Sequence, residues 1–265
     1  MRIGVVGLGL IGGSIALGLR EKHAVRGYDR DAAARDAARG RGLDVSDTSD
    51  AVLPADAVVV ATPLGAIVPT LRALLPQAEG AVLFEVGSLK RDVAALADAA
   101  PAHARIVGLH PMAGSTAVGI AAADAALFRG RPFLIVPTSR SDDAAMEMAG
   151  ELAHDLGGSV TVCSPQVHDR AVAAVSALPL AAAIALGRVA RDASPIPFDA
   201  VAGTGIRDAT RLAATPVDLA LPLLAAPGLA EHIASLRDAL GDIERALGDE
   251  RALRGLLDGA RPERP

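Results

Sequence analysis

The sequence predicts an α/β fold, a Rossmann-type doubly wound parallel sheet followed by an all-helical dimerisation domain. Three observations carry this prediction. Gly7, Gly9 and Gly12 form a Gly-x-Gly-x-x-Gly motif between a β-branched strand pattern and an apolar helix pattern. Strand-like and helix-like stretches then alternate as far as residue 162. Beyond Ser164-Pro165 no strand pattern returns, and the remainder reads as Ala- and Leu-rich helices. The expected division is residues 1–164 for a dinucleotide-binding domain and 165–265 for a helical substrate and dimerisation domain.

The first thirty residues organise the rest. Ile3 to Val6 is short and β-branched, as a buried strand should be, and an apolar helical run follows to Leu19. Gly7 permits the tight turn between them, Gly9 lets a pyrophosphate approach the backbone, and Gly12 lets helix and strand pack closely. Leu10 and Ile11 open the helix whose N-terminus faces the phosphates. Asp29 ends the next strand, where an acid binds the ribose hydroxyls of NAD. Arg30 follows it and can reach a 2′-phosphate, so NAD is the expected cofactor with NADP as the alternative. The same run also reads as a signal peptide or anchor. Glycines at 4, 7, 9, 12, 13 and 18 and a single preceding basic residue argue against that.

The next elements alternate. Residues 31–41 are helix-forming; 55–61 form a buried strand ending in Thr62-Pro63, both expected beside the cofactor. A helix over 65–75, a strand over 81–86 and a helix over 90–99 come next. A strand over 105–109 runs into His110-Pro111, and strands over 131–136 and 159–162 flank a helix over 142–156. Such alternation implies parallel βαβ units with right-handed crossovers. The second domain opens with one long helical pattern over 168–192, interrupted only by Pro179, and continues with helices near 206–213, 217–225 and 228–246. The polar tail from Gly259 to Pro265 is expected to fray. So long an apolar helix cannot be covered within so small a helical domain, so a homodimer through these helices is expected.

Composition excludes several classes of function. Of 265 residues, 51% are hydrophobic and 22% charged, which fits a globular chain rather than a disordered one. The net charge of −5 and an aromatic content of 2% provide neither a basic footprint nor stacking platforms for nucleic acid. The single cysteine, Cys163, rules out an intrachain disulfide, and the six histidines show no metal-ligand spacing, so no metal is expected. No membrane partner is expected, and the location expected is the cytoplasm.

In a doubly wound sheet, ligands bind beyond the carboxyl ends of the strands. Thr62-Pro63, Gly87-Ser88-Leu89-Lys90 and His110-Pro111 end three successive strands and should converge there. His110 is the candidate for acid–base work, because histidine titrates near neutrality; its other reading is a strand cap. Ser88 can aim its hydroxyl at the crevice or serve as a loop or helix cap. Lys90 reads as a solvated helix-start residue. Arg207 and Arg211 lie four apart, on one face of a helix, where they suit an anionic substrate or a salt-bridged surface. His168-Asp169-Arg170 opens the long helix, as a solvated face or as part of a site.

Together these residues resemble the prephenate and arogenate dehydrogenase family of tyrosine biosynthesis. The resemblance runs in order through Gly7 to Ser14, Ala61-Thr62-Pro63, Val86 to Lys90, His110 to Gly114, Leu127 to Pro132, His168-Asp169-Arg170 and Arg207-Asp208-Ala209-Thr210-Arg211. It implies a Rossmann domain plus a helical dimerisation domain and an oxidoreductase that decarboxylates a cyclohexadienyl acid while passing hydride to NAD. It implies that His110 takes the proton of the ring C4 hydroxyl and that Ser88 orients that hydroxyl. Arg211 is similar to the arginine that binds a substrate carboxylate, and Ser115, Ser176 and His168 fall in the substrate pocket with Arg207. Three departures leave the substrate open. The long helix has Ser176-Ala177-Leu178-Pro179-Leu180 where the family often has two histidines, a tryptophan usual after Arg211 is missing, and Glu85 replaces a more usual Asp. A same-fold dehydrogenase recruited to a related cyclic carboxylate in secondary metabolism, or a non-catalytic NAD-binding sensor, are the alternatives. No chorismate-mutase segment or regulatory domain is seen, so tyrosine inhibition through a separate domain is not expected.

Overall fold

The computed structural model describes residues 1–114 and 117–261. Eight strands form one sheet in the order β3-β2-β1-β4-β5-β6-β7-β8. They are β1 (Arg2–Val6), β2 (Ala24–Tyr28), β3 (Asp44–Val45), β4 (Ala57–Val60), β5 (Val82–Glu85), β6 (Ile106–Pro111), β7 (Pro132–Pro137) and β8 (Ser159–Val162). Helices α1 (Leu10–Leu19), α2 (Ala32–Gly40), α3 (Leu64–Leu74), α4 (Arg91–Ala99) and α5 (Asp143–Asp155) connect them. The central strands are buried over their whole length, as a sheet covered on both faces requires. One core cluster includes Ile15, Phe84, Leu109 and Leu152, and a second includes Val58, Ile67, Leu83 and Leu96.

The sheet departs from the all-parallel expectation at one place. β6 and β7 pair antiparallel, with His110 opposite Leu134, while β7 and β8 pair parallel. The reason lies in the connection. Among the described residues between Pro111 and Pro132 the only helical piece is one 3₁₀ turn, Ile120–Ala122, so no helix carries the chain back across the sheet. The connection stays at the carboxyl edge of β6, and β7 starts from there. Arg41 fastens it by donating to the carbonyls of Ile120 and Ala123 at 2.6 and 2.7 Å.

The second part of the chain is helical: α6 (Pro165–Val172), α7 (Leu178–Ala193), α8 (Phe198–Val201), α9 (Thr204–Thr210), α10 (Val217–Leu224), α11 (Leu229–Ala246) and α12 (Glu250–Ala260). The helix expected over 168–192 is not uniform. A π turn, Ala173–Ala177, separates α6 from α7. Pro179 has no N–H for the carbonyl four residues back, and it sits in the first turn of α7, where the wider π turn accommodates it. Helix α12 and the two-residue β3 were not expected, and α12 makes Gly259 and Ala260 helical rather than frayed. By length and composition alone Pro165–Ala193 could cross a membrane, with a third of its apolar window buried. Arg170 and Pro179 interrupt it, and α7 packs against α9, α10 and α11.

Candidate active site

The glycine loop between β1 and α1 is tight on two sides and open on a third. Gly7 has φ +97°, and a side chain there would lie 2.6 Å from the Ala61 carbonyl oxygen. A Cβ at Gly12 would lie 1.8 Å from the Gly7 oxygen, so helix and strand could not pack as they do. Gly9, by contrast, faces open space, with nothing within 4 Å of where a Cβ would be. It also begins α1 without any side-chain cap, so the first-turn N–H groups at Leu10 and Ile11 are left for an anion.

Asp29 turns its carboxylate toward this loop, accepting from Leu8 N at 2.8 Å and from Asp31 N at 2.9 Å. Arg35 pins the same turn by donating to the Asp29 carbonyl, while Arg30 is exposed. Thr62, after β4, has its hydroxyl buried without a partner among the described residues, and Pro63 caps α3. An orphaned hydroxyl and an uncapped helix start on one rim, with an open glycine between them, fit a polar, phosphate-bearing ligand such as a dinucleotide.

At the carboxyl end of β6, on the same edge of the sheet as the glycine loop, lies a buried polar chain. His110 Nδ1 is 2.9 Å from His168 Nε2, and His168 Nδ1 is 2.8 Å from Asp169 Oδ1. Asp169 also accepts from the backbone N–H of Lys90 at 2.8 Å and of Arg91 at 3.1 Å, the start of α4. Burial opposes the charge on Asp169, yet these bonds hold its carboxyl below the ordinary range. Burial pushes His110 well below 6.5, and the nearby Lys90 cation pushes the same way, so its ring is neutral at neutral pH. A neutral ring at a strand end can accept a proton.

Lys90 is not the solvated residue that its place at a helix start implied. It is 1% exposed and its Nζ lies 2.6 Å from Glu85 Oε1 and 2.6 Å from the Gly87 carbonyl oxygen. Glu85 also accepts from Gly87 N at 2.9 Å. The longer side chain of Glu, where Asp is more usual, spans both contacts. Burial pushes Lys90 down and Glu85 up, and their mutual attraction opposes both shifts. The pair staples the loop that carries Ser88, which is half-buried and makes no hydrogen bond among the described residues. His168 and Asp169 likewise do not form a solvated face; both are buried.

The other expected residues stand apart. Arg207 is exposed and donates to the Ala202 carbonyl at 2.9 Å. Arg211, also exposed, lies just past α9, where a 3₁₀ turn begins. Ser176 is half-buried on the π turn. Ser115 lies outside the described residues. The roles of three side chains were not read from the sequence: Asp169 as an anchor of the polar chain, and Lys90 with Glu85 as a buried pair beside it. One signal was available: Lys22 and Lys90 are the only lysines in a chain that otherwise uses arginine. A compact ammonium fits a closed cavity that a planar guanidinium does not.

Both parts of the chain are similar to known proteins. Residues 15–162 match the family described as prephenate dehydrogenase, nucleotide-binding domain, and residues 164–247 match prephenate dehydrogenase, dimerization domain. A cyclohexadienyl dehydrogenase of Zymomonas mobilis is 33% identical over 224 residues, 80% of this chain and 76% of that protein. A prephenate dehydrogenase of Bacillus subtilis is 32% identical over 80% of this chain, which spans 60% of that protein. The crystal structure of a Synechocystis arogenate dehydrogenase superimposes with a TM-score of 0.81 at 28% identity, covering 98% of this chain and 97% of that one. A prephenate dehydrogenase from Aquifex aeolicus shares the fold at a TM-score of 0.87 and 24% identity, over 98% of this chain and 97% of its own. The glycine loop begins before the first matched segment and the buried polar chain joins the two, and on both grounds, sequence and fold, the chain belongs to the prephenate dehydrogenase family.

Proposed function

We propose that the chain is an NAD-dependent dehydrogenase that oxidatively decarboxylates prephenate, to 4-hydroxyphenylpyruvate, or arogenate, to tyrosine. The observation that carries this reading is the neutral, buried His110 at a strand end, backed by His168 and Asp169 on the same sheet edge as the glycine loop. Gly7, Gly9, Gly12, Asp29, Thr62 and Pro63 hold the dinucleotide, with Leu10, Ile11 and Arg30 at its rim. NAD held there would supply the acceptor for the hydride that leaves ring carbon C4. His110 takes the C4 hydroxyl proton, Ser88 orients that hydroxyl, and the ring carboxylate leaves as CO2. Aromatisation drives the step, so the protein chiefly positions groups and handles one proton. Arg211 and Arg207 bind the substrate's carboxylates, and Ser176 and Ser115 line the pocket.

In this reading residues 1–164 serve the cofactor and residues 165–265 serve the substrate and pairing of two copies in the cytoplasm. The large apolar side chains exposed on the helices, Val175, Leu186, Val189, Leu221, Leu240 and Ile243, support a homodimer. A second reading, the same chemistry on a related cyclic carboxylate, is favoured by Ala177 and Leu180, buried and apolar on the long helix. Purified protein given NAD and prephenate or arogenate should form NADH and CO2 in equal amounts with one of them. NADH formation only with another cyclic carboxylate would favour the second reading, and none with any of them would overturn both.

A further inference from the structure

His168 lies behind His110 rather than beside it in an open pocket, and it is fully buried. That placement has a chemical consequence. Asp169 receives two backbone N–H donors, from Lys90 and Arg91, at the N-terminus of α4. A carboxylate held this way is ionised and can only accept. The proton between Asp169 Oδ1 and His168 Nδ1 therefore belongs to His168. With that as the one proton His168 carries, its Nε2 is bare and can only accept. The proton between it and His110 belongs to His110 Nδ1. What remains to His110 is an unprotonated Nε2.

We propose that His168 and Asp169 are positioning residues that fix His110 as its Nδ1–H tautomer and so make Nε2 the basic atom. The inference rests on the reading of His110 as the base. Free neutral histidine prefers the opposite tautomer, with the proton on Nε2, so the buried chain reverses an intrinsic preference. When the substrate hydroxyl gives up its proton, its O–H bond breaks and an Nε2–H bond forms. His110 becomes an imidazolium whose Nδ1–H still points at His168, which remains bonded to the Asp169 carboxylate. The groups facing this chain are Lys90 with its partner Glu85, and Cys163, which lies within the field of Lys90 and Asp169. Lys90 disfavours a cation on His110, which makes a second, anionic anchor behind His168 necessary for the proton to be held even briefly.

The test is the nitrogen NMR spectrum of the full chain labelled in histidine, recorded at neutral pH with and without NAD. His110 is assigned by difference from His110→Asn. The expected result is a protonated Nδ1 and a bare Nε2 on His110. His168→Leu removes the acceptor; His110 should revert to the Nε2–H form, and kcat should fall on the order of 10²–10⁴-fold, the usual share of a positioned base. NAD affinity should stay within about threefold, because the glycine loop is untouched. His168→Gln keeps an oxygen that can accept from Nδ1–H and should restore both the tautomer and much of the turnover. An Nε2–H form of His110 in the wild-type protein would overturn the proposal, as would a His168→Leu variant that kept the Nδ1–H form or wild-type turnover. If His168→Leu does not fold, the wild-type spectrum and His168→Gln decide. Normal turnover by His110→Ala alongside the expected tautomer would instead fault the assignment of His110 as the base.

Discussion

Single residues set the chemistry. His110 is held well below 6.5, and in the proposed mechanism its neutral ring is the active form. The sign follows: lowering pH through 6.5 leaves the ring neutral, so kcat should stay level there and fall only in more acid solution. A kcat profile that already halves at 6.5 would contradict the burial argument. Arg211→Ala should act differently, raising KM by roughly 10- to 150-fold, the worth of one charge-assisted bond of about 1.5–3 kcal/mol. Steady-state kinetics with kcat and KM separated would check it. At this scale legibility was uneven. His110, Ser88 and Asp29 could be named as candidates because strand-end position and residue type point to chemistry without any knowledge of partners. Lys90 was misread because its burial depends on Glu85 and on Asp169, the latter 79 residues away.

Elements set the precision of the site. The β1–α1 junction separates two glycine roles that the motif alone does not. Gly9→Ala meets nothing in the protein, so Tm should stay within about 2 °C while NAD affinity drops by about tenfold or more, because in the proposed site that free space holds the cofactor. Gly12→Ala strikes the Gly7 carbonyl and should lower stability and affinity together. Thermal melts and NAD titrations on the two variants would separate the roles. The loop between β5 and α4 depends on the Glu85–Lys90 pair. Lys90→Ala would leave a buried carboxylate unpaired, with an expected cost of about 3–5 kcal/mol, measurable by denaturant unfolding. The glycine loop and the buried strands were legible because they are short-range patterns. The direction of β7 was not, since alternation and apolar runs look the same in either direction. Only the missing crossover helix before Pro132 decides it.

The whole molecule joins a nucleotide-binding sheet to a helical part that covers little of its own apolar surface. Its internal core is a small cluster around Ala173, Ala177, Ala226 and Leu229. Light scattering should therefore give twice the chain mass, and Val189→Glu, on an exposed apolar face, should shift the protein toward monomer. The length and apolarity of the 168–192 pattern lead to the same expectation from the sequence. The π turn was not legible there, because its cause is the local accommodation of Pro179. The joint between the two parts is the chain from His110 through His168 to Asp169. The account stands or falls on hydride transfer that depends on His110. The most direct measurement is NADH formation by the wild-type protein and His110→Ala, side by side with prephenate and arogenate, with NAD affinity determined for both. The account predicts wild-type turnover with one substrate, a loss in the variant on the order of 10²-fold or more, and NAD affinity that differs little. A silent wild-type protein, or a variant that turns over normally, would contradict it.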